Sequence, residues 1–204
     1  MNGIDKSCVC VVGCGGLGGY VSEYLIRLGV GSIIAVDGDR FAQSNLNRQI
    51  LCTLNTLGTY KAEAVRQRAE SIRPELSVSA VNEFLTEENA EEIIKDADVV
   101  IDALDSMQAR KTLFDACKRA GKTMIHGAIG KSGMQIAVIP PEGDFPKMQA
   151  ETVHGDEVLA HVPAICAGYE VSECVKLLRG EKSSLSGKML CIDLNDNEQI
   201  VIEI

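Results

Sequence analysis

Short apolar runs alternate with longer segments of helical spacing along most of the chain. Residues 7–12 ("SCVCVV") form an apolar, β-branched run that stops at a glycine, and residues 32–36, 76–81, 97–101 and 123–128 repeat that signature. The near-continuous apolarity of "ADVVI" at 97–101 suits a strand covered on both faces of a parallel sheet. Between these runs, 17–28, 60–72, 86–95 and 107–120 read as helices. Thr86 and Asn89, with acids between them, mark one helix start, and Arg73-Pro74 closes another helix. This βαβα rhythm predicts an α/β fold with a Rossmann-like, doubly wound, mostly parallel sheet.

After residue 129 the rhythm changes. "KSGMQIAVIPP" reads as the return strand of a hairpin, with Gly130 and Gly133 near its turn. Residues 163–178 read as a helix stopped by Gly180, and 188–193 with 199–204 as a terminal hairpin across "NDN". Antiparallel strands are therefore expected on the C-terminal side of the sheet. Residues 142–160 have little periodicity and several polar positions, which predicts a long mobile loop. No repeat, low-complexity tract or linker interrupts the chain, so 1–204 reads as a single domain.

A chain of 204 residues can bury roughly 70% of its unfolded surface and needs no staple. Twenty basic against twenty-nine acidic residues leave a net charge of −9 with no basic run, which disfavours a nucleic-acid partner. No apolar run approaches the length of a membrane span, and the first one leads into a glycine loop rather than a cleavage site. A cytoplasmic protein is expected. The eight cysteines, at 8, 10, 14, 52, 117, 166, 174 and 191, contain no CxxC pair, so no zinc site is expected. Cys8, Cys10, Cys117, Cys174 and Cys191 lie in apolar patterns and read as reduced, buried thiols.

The candidate chemistry begins at "GCGGLG", where Gly13, Gly15, Gly16 and Gly18 join the first strand to the first helix. That placement brings helix N-terminal amides to a phosphate. Asp37, at the end of the second strand, is where an acid can bond ribose hydroxyls. A dinucleotide dehydrogenase would use this much. Asn45, Arg48, Gln49 and Lys61 then add two cations and two neutral donors, more than a resting dinucleotide needs. A triphosphate undergoing substitution does need them, because that chemistry depends on positioning and charge stabilisation. Asp102 and Asp105 in "DALD" follow the fourth strand, where a carboxylate could hold Mg²⁺ against phosphates. His126, His154 and His161 are read as strand-end packing or solvated loop residues.

These motifs, "GCGGLG", "DGD", "SNLNRQ", Lys61 after "GTY" and "DALDS" with Arg110, resemble the ThiF/MoeB/HesA family, bacterial relatives of ubiquitin-activating enzymes. The likeness runs from residue 8 to about 139 and resumes over 158–180. The family adenylates the C-terminal glycine carboxylate of a small β-grasp, ubiquitin-like sulfur carrier, using Mg-ATP and releasing pyrophosphate. By resemblance, Asp37 meets ribose, Asn45, Arg48, Gln49 and Lys61 meet phosphates, Asp105 binds magnesium, and Asp39 belongs to the same nucleotide site. Arg48, Lys61 and Asp105 are the implied catalytic residues, and a homodimer is implied as well.

The departures are equally specific. The family's two zinc CxxC pairs are missing, Ser106 stands where it usually has Asn, and no cysteine lies between 118 and 165. Adenylation is therefore expected without thioester formation on this chain, with 142–160 ordering over the carrier tail. The competing readings are a nicotinamide oxidoreductase and an ATP-binding interaction module without turnover.

Overall fold

The computed structural model describes residues 3–146 and 158–204. Its strands are β1 (Cys8–Val12), β2 (Ser32–Val36), β3 (Ser77–Val81), β4 (Val99–Asp102), β5 (Met124–Ile129), β6 (Gly133–Ile139), β7 (Lys188–Asp193) and β8 (Glu198–Glu203). Its α-helices are α1 (Gly16–Leu28), α2 (Lys61–Ile72), α3 (Ala90–Ile94), α4 (Met107–Ala120) and α5 (His161–Leu178). The strands form one sheet in the order β3-β2-β1-β4-β5-β6-β7-β8. The first five pair in parallel and the last three are added antiparallel, as the changing rhythm of the sequence predicts.

The alternation of β1 explains the layering. Val9 and Val11 point into a core shared with α1, α2 and α5, while Cys10 and Val12 point into a second core under α3 and α4. With both faces covered, β1 has no polar position to offer, which is why "CVCVV" is apolar throughout. The chain leaves β1 for β2 on one side and later crosses to β4 on the other. That reversal opens a crevice at the carboxyl ends of β1 and β4, where ligands bind in open α/β sheets.

Several boundaries differ from expectation, the helix expected over 86–95 spanning only Ala90–Ile94, and two of them have plain physical reasons. Helix α5 begins at His161, two residues before Pro163. Amides of a first turn have no helical acceptor, so proline costs nothing there. Strand β4 extends through Asp102, which pairs in register with Val12 and His126, while Ala97 closes the end of α3 through its N–H to Ile94 O. The loop expected at 142–160 lies for the most part, at 147–157, outside the described residues, as does His154.

Three chain segments touch at the crevice. A Cβ on Gly18 would stand 1.7 Å from Gly13 O, and one on Gly13 would stand 2.6 Å from Ala103 O. Gly13 also has a φ of +90°, a conformation that L side chains avoid. Helix α1 can therefore start directly beneath the turn only because both residues lack side chains.

Glu170 of α5 is fully buried against Gly127, and neither of its carboxyl oxygens has a partner among the described residues. Burial, reinforced by the Asp102 charge and opposed by Arg110, pushes this carboxyl well above the ordinary 4.5.

Gly18→Ala is expected to cost about 3 kcal/mol or more, because the new methyl meets backbone and cannot be accommodated by a rotamer change. Gly168→Ala on the open face of α5, where a Cβ meets nothing, should stabilise by about 0.5–1 kcal/mol. Denaturant melts of the two variants check the contrast. For Glu170, the unfolded chain loses its proton near pH 4.5 while the folded chain keeps it, so native stability falls as pH rises above that value. Thermal midpoints at pH 5 and pH 8 should show Glu170→Gln gaining on wild type with pH. The opposite trend would mean an ionised, stabilising carboxylate.

Candidate nucleotide site

The floor of the crevice is built by two loops tied through one carboxylate. Gly13 N–H donates to Val36 O at 2.8 Å, joining the end of β1 to the end of β2. Asp37 follows immediately: its Oδ2 accepts from Cys14 N–H and its Oδ1 from Asp39 N–H, both at 2.8 Å. Burial raises the Asp37 carboxyl, against the opposing pull of Lys61 and those two amides. Helix α1 opens with Gly15 at its cap position and no side-chain cap. The donors of its first turn are thus open to a ligand.

The polar packet converges on that opening. A Cβ on Gly15 would lie 3.4 Å from Gln49 Nε2, and one on Gly16 would lie 3.9 Å from Arg48 Cγ. Gln49 is only 6% exposed, and its Oε1 is buried without a partner among the described residues. Nε2 is the end of the carboxamide nearer the helix start, so Gln49 presents a donor toward that opening. The Arg48 guanidinium is held back on its own loop, donating to Ser44 O at 3.0 Å and Asn47 Oδ1 at 2.9 Å. Asn45 uses its carboxamide oxygen to accept from Ala42 N–H at 3.0 Å, and its backbone oxygen accepts from Arg48 and Gln49. In this geometry Asn45 shapes the short 3-10 turn (Gln43–Asn45) that aims its two successors.

Lys61 starts α2, with its N–H on Asp39 O and its Nζ on Asp39 Oδ2, both at 2.9 Å. The lysine side chain is 10% exposed and the aspartate 55%. The cation is thus pinned from below and its partner faces outward, so an arriving anion competes with Asp39 for the ammonium. Asp39 is Lys61's counter-ion in this arrangement.

Asp105 is exposed on the loop between β4 and α4, two residues after the Ala103 carbonyl that abuts Gly13. Ser106 caps α4, its Oγ accepting from Ala109 N–H. Asp102 requires a correction. Together with Asp105 it is expected at the carboxyl edge of the sheet, where a carboxylate could hold Mg²⁺, but it is fully buried within β4. Its Oδ2 lies 2.7 Å from His126 Nδ1 and its Oδ1 accepts from Leu104 N–H at 3.1 Å. Extension of the strand by one residue turns this side chain inward. Arg110 lies against the same histidine and donates to Leu104 O.

His161 is exposed at the start of α5. All eight thiols are free; Cys10, Cys14, Cys52, Cys117, Cys166 and Cys174 are buried and Cys8 and Cys191 half-buried. Burial pushes Cys117 and Cys174 up to about 12. The apolar groove of about 480 Å³ between α1 and α5, lined by Tyr24, Leu28 and Val175 among others, lies on the helical layer away from the glycine turn. Among the described residues no helix is long and apolar enough to cross a membrane.

The chain is 34% identical over 200 residues to the SAMP-activating enzyme E1 of Haloferax volcanii, covering 94% of this chain and 74% of that protein. It is 33% identical over 210 residues to the sulfur carrier protein adenylyltransferase of Thermus thermophilus, covering 93% and 76%. The fold matches that of E. coli MccB solved with ATP, at a TM-score of 0.85 and 20% identity over 99% of this chain. The chain spans 65% of the length of that structure. The ThiF family profile matches residues 1–203, and the protein belongs to the ThiF family.

Proposed function

We propose that the chain binds Mg-ATP over the start of α1 and adenylates the C-terminal glycine carboxylate of a small β-grasp, ubiquitin-like sulfur carrier. The observation that carries this reading is that Gln49 and the Arg48 stem lie against one uncapped helix start, beside an Asp37 carboxyl that feels the Lys61 charge. The family membership and the names of the Thermus and Haloferax relatives support the carrier as acceptor.

In this reading the ribose lies against Asp37 and the phosphates lie over Gly15–Gly18. Gln49 donates to a phosphate oxygen through Nε2. Arg48 and Lys61 leave their resting partners to meet charge that develops on the α-phosphate. Such preorganised cations act where charge grows in the transition state. Asp105, exposed beside the glycine turn, would hold magnesium, which when bound neutralises charge on the phosphates. A carboxylate oxygen of the carrier forms a bond to the α-phosphorus as the bond to the bridging oxygen breaks. The electron pair departs with pyrophosphate, and no proton moves. The acyl-adenylate then leaves without bonding to this chain, consistent with Cys117 and Cys174 being buried and held protonated. A homodimer belongs to the same reading.

ATP–pyrophosphate exchange in the presence of a carrier ending in Gly-Gly tests the proposal. Arg48→Ala and Lys61→Ala should each lower exchange by roughly 10²-fold or more. Asp105→Ala should remove most activity together with its magnesium dependence. Exchange near wild type in all three variants would refute the site. Calorimetry should show ATP binding in the absence of carrier; tight NADH binding with no ATP binding would instead establish the oxidoreductase reading.

A further inference from the structure

We propose that His126 is a positioning residue for this reaction: it joins Asp102 to Arg110 and so sets the loop that presents Asp105 at the glycine turn. The inference rests on the adenylation reading above and adds a residue to it.

The connection can be followed atom by atom. His126 sits on β5, next in the sheet to β4, and is 1% exposed. Its Nδ1 is 2.7 Å from Asp102 Oδ2, and Arg110 Nη1 lies 3.2 Å from Nδ1 and 3.3 Å from Nε2, with Asp102 Oδ2 at 3.9 Å. One proton arrangement satisfies both contacts. A neutral ring donates Nδ1–H to Asp102 and leaves Nε2 unprotonated beside the guanidinium, which can only donate. Burial lowers the imidazole's affinity for a second proton, and Arg110 acts in the same direction against the pull of Asp102.

The two partners of His126 hold both sides of one residue. Asp102 Oδ1 takes the N–H of Leu104, and Arg110 Nη2 donates to its carbonyl oxygen. Ala103 N–H is bonded to Val12 O at 2.9 Å, and its carbonyl lies against Gly13. The Ala103 N–H and both backbone groups of Leu104 are therefore hydrogen-bonded, and Asp105 is the next residue. A loop held by buried, charge-assisted bonds places its carboxylate more narrowly than an exposed loop does. The histidine touches neither phosphate nor carrier. It acts through the loop.

Three variants separate this role from simple packing. His126→Leu keeps the volume and removes both bonds. His126→Gln offers one donor and one acceptor, as the neutral ring does. Asp102→Asn keeps the shape and the Leu104 contact, but its amide donates to Nδ1 and drives the ring proton to Nε2, where it opposes Arg110. His126→Leu and Asp102→Asn are expected to lower kcat for exchange by about 10-fold or more and to raise the magnesium concentration for half-maximal rate. Their affinity for ATP in EDTA, read by calorimetry, should stay within about two-fold of wild type, since the glycine turn and Asp37 are untouched. His126→Gln should recover most of kcat. Amide hydrogen exchange at Leu104, measured without nucleotide or metal, should accelerate in His126→Leu and not in His126→Gln. If His126→Leu does not fold, the isosteric Asp102→Asn decides. Wild-type kcat and magnesium response in Asp102→Asn, or equal losses in the Leu and Gln variants, would overturn the inference while leaving the function intact. A wild-type protein that binds no ATP would remove both.

Discussion

The structure depends on one close approach. Helix α1 leaves β1 so abruptly that Gly18 lies under the Gly13 carbonyl, and the loop after β4 closes over Gly13 from the other side. No side chain fits at either glycine. Because these contacts are backbone to backbone, the N-terminus of α1, the end of β1 and the end of β4 form one rigid corner. The open amides of α1, the Asp37 carboxylate and the loop that carries Asp105 take their relative positions from it.

Charge is distributed around that corner in two layers. The buried layer contains Asp102, Arg110, neutral His126 and a protonated Glu170, so it holds few net charges out of water. The outer layer holds Lys61 against Asp39, and Arg48 against the oxygens of Ser44 and Asn47. Cations in this outer layer have only weak, replaceable partners, which suits a site that must receive a polyanion and later release it. The same economy explains an acidic chain that binds an acidic ligand: the positive groups needed are few, local and already oriented. Glu23 shows the structural counterpart, a buried carboxylate bound by Arg27 and Arg68 that ties α1 to α2 and lies far along the helix from the opening.

The parallel half of the sheet was legible in the sequence because strands covered on both faces must be apolar at every position, and "CVCVV" and "SIIAV" obey that rule. The glycine turn and the Asn-Arg-Gln packet were legible because each is contiguous. Local pattern does not report contacts between distant elements. Asp102 meets His126 across 24 residues, and Arg110 meets it across 16, so the buried network had no signature in periodicity. The misreading of Asp102 came from a strand end displaced by one residue, enough to turn a side chain from the crevice to the core. Asn45 shows a related limit: its turn-shaping bond to Ala42 is local, but nothing in its spacing distinguishes it from a ligand contact.

Triphosphate on the start of α1 would draw Lys61 from Asp39. Amide and lysine side-chain NMR during an ATP titration tests this most directly. The largest shifts are expected at the amides of Gly16, Leu17 and Gly18 and at the Lys61 ammonium, with Asp37 close behind. Saturable ATP binding that leaves those signals in place, and moves instead residues of the α1–α5 groove such as Tyr24 and Val175, would contradict it.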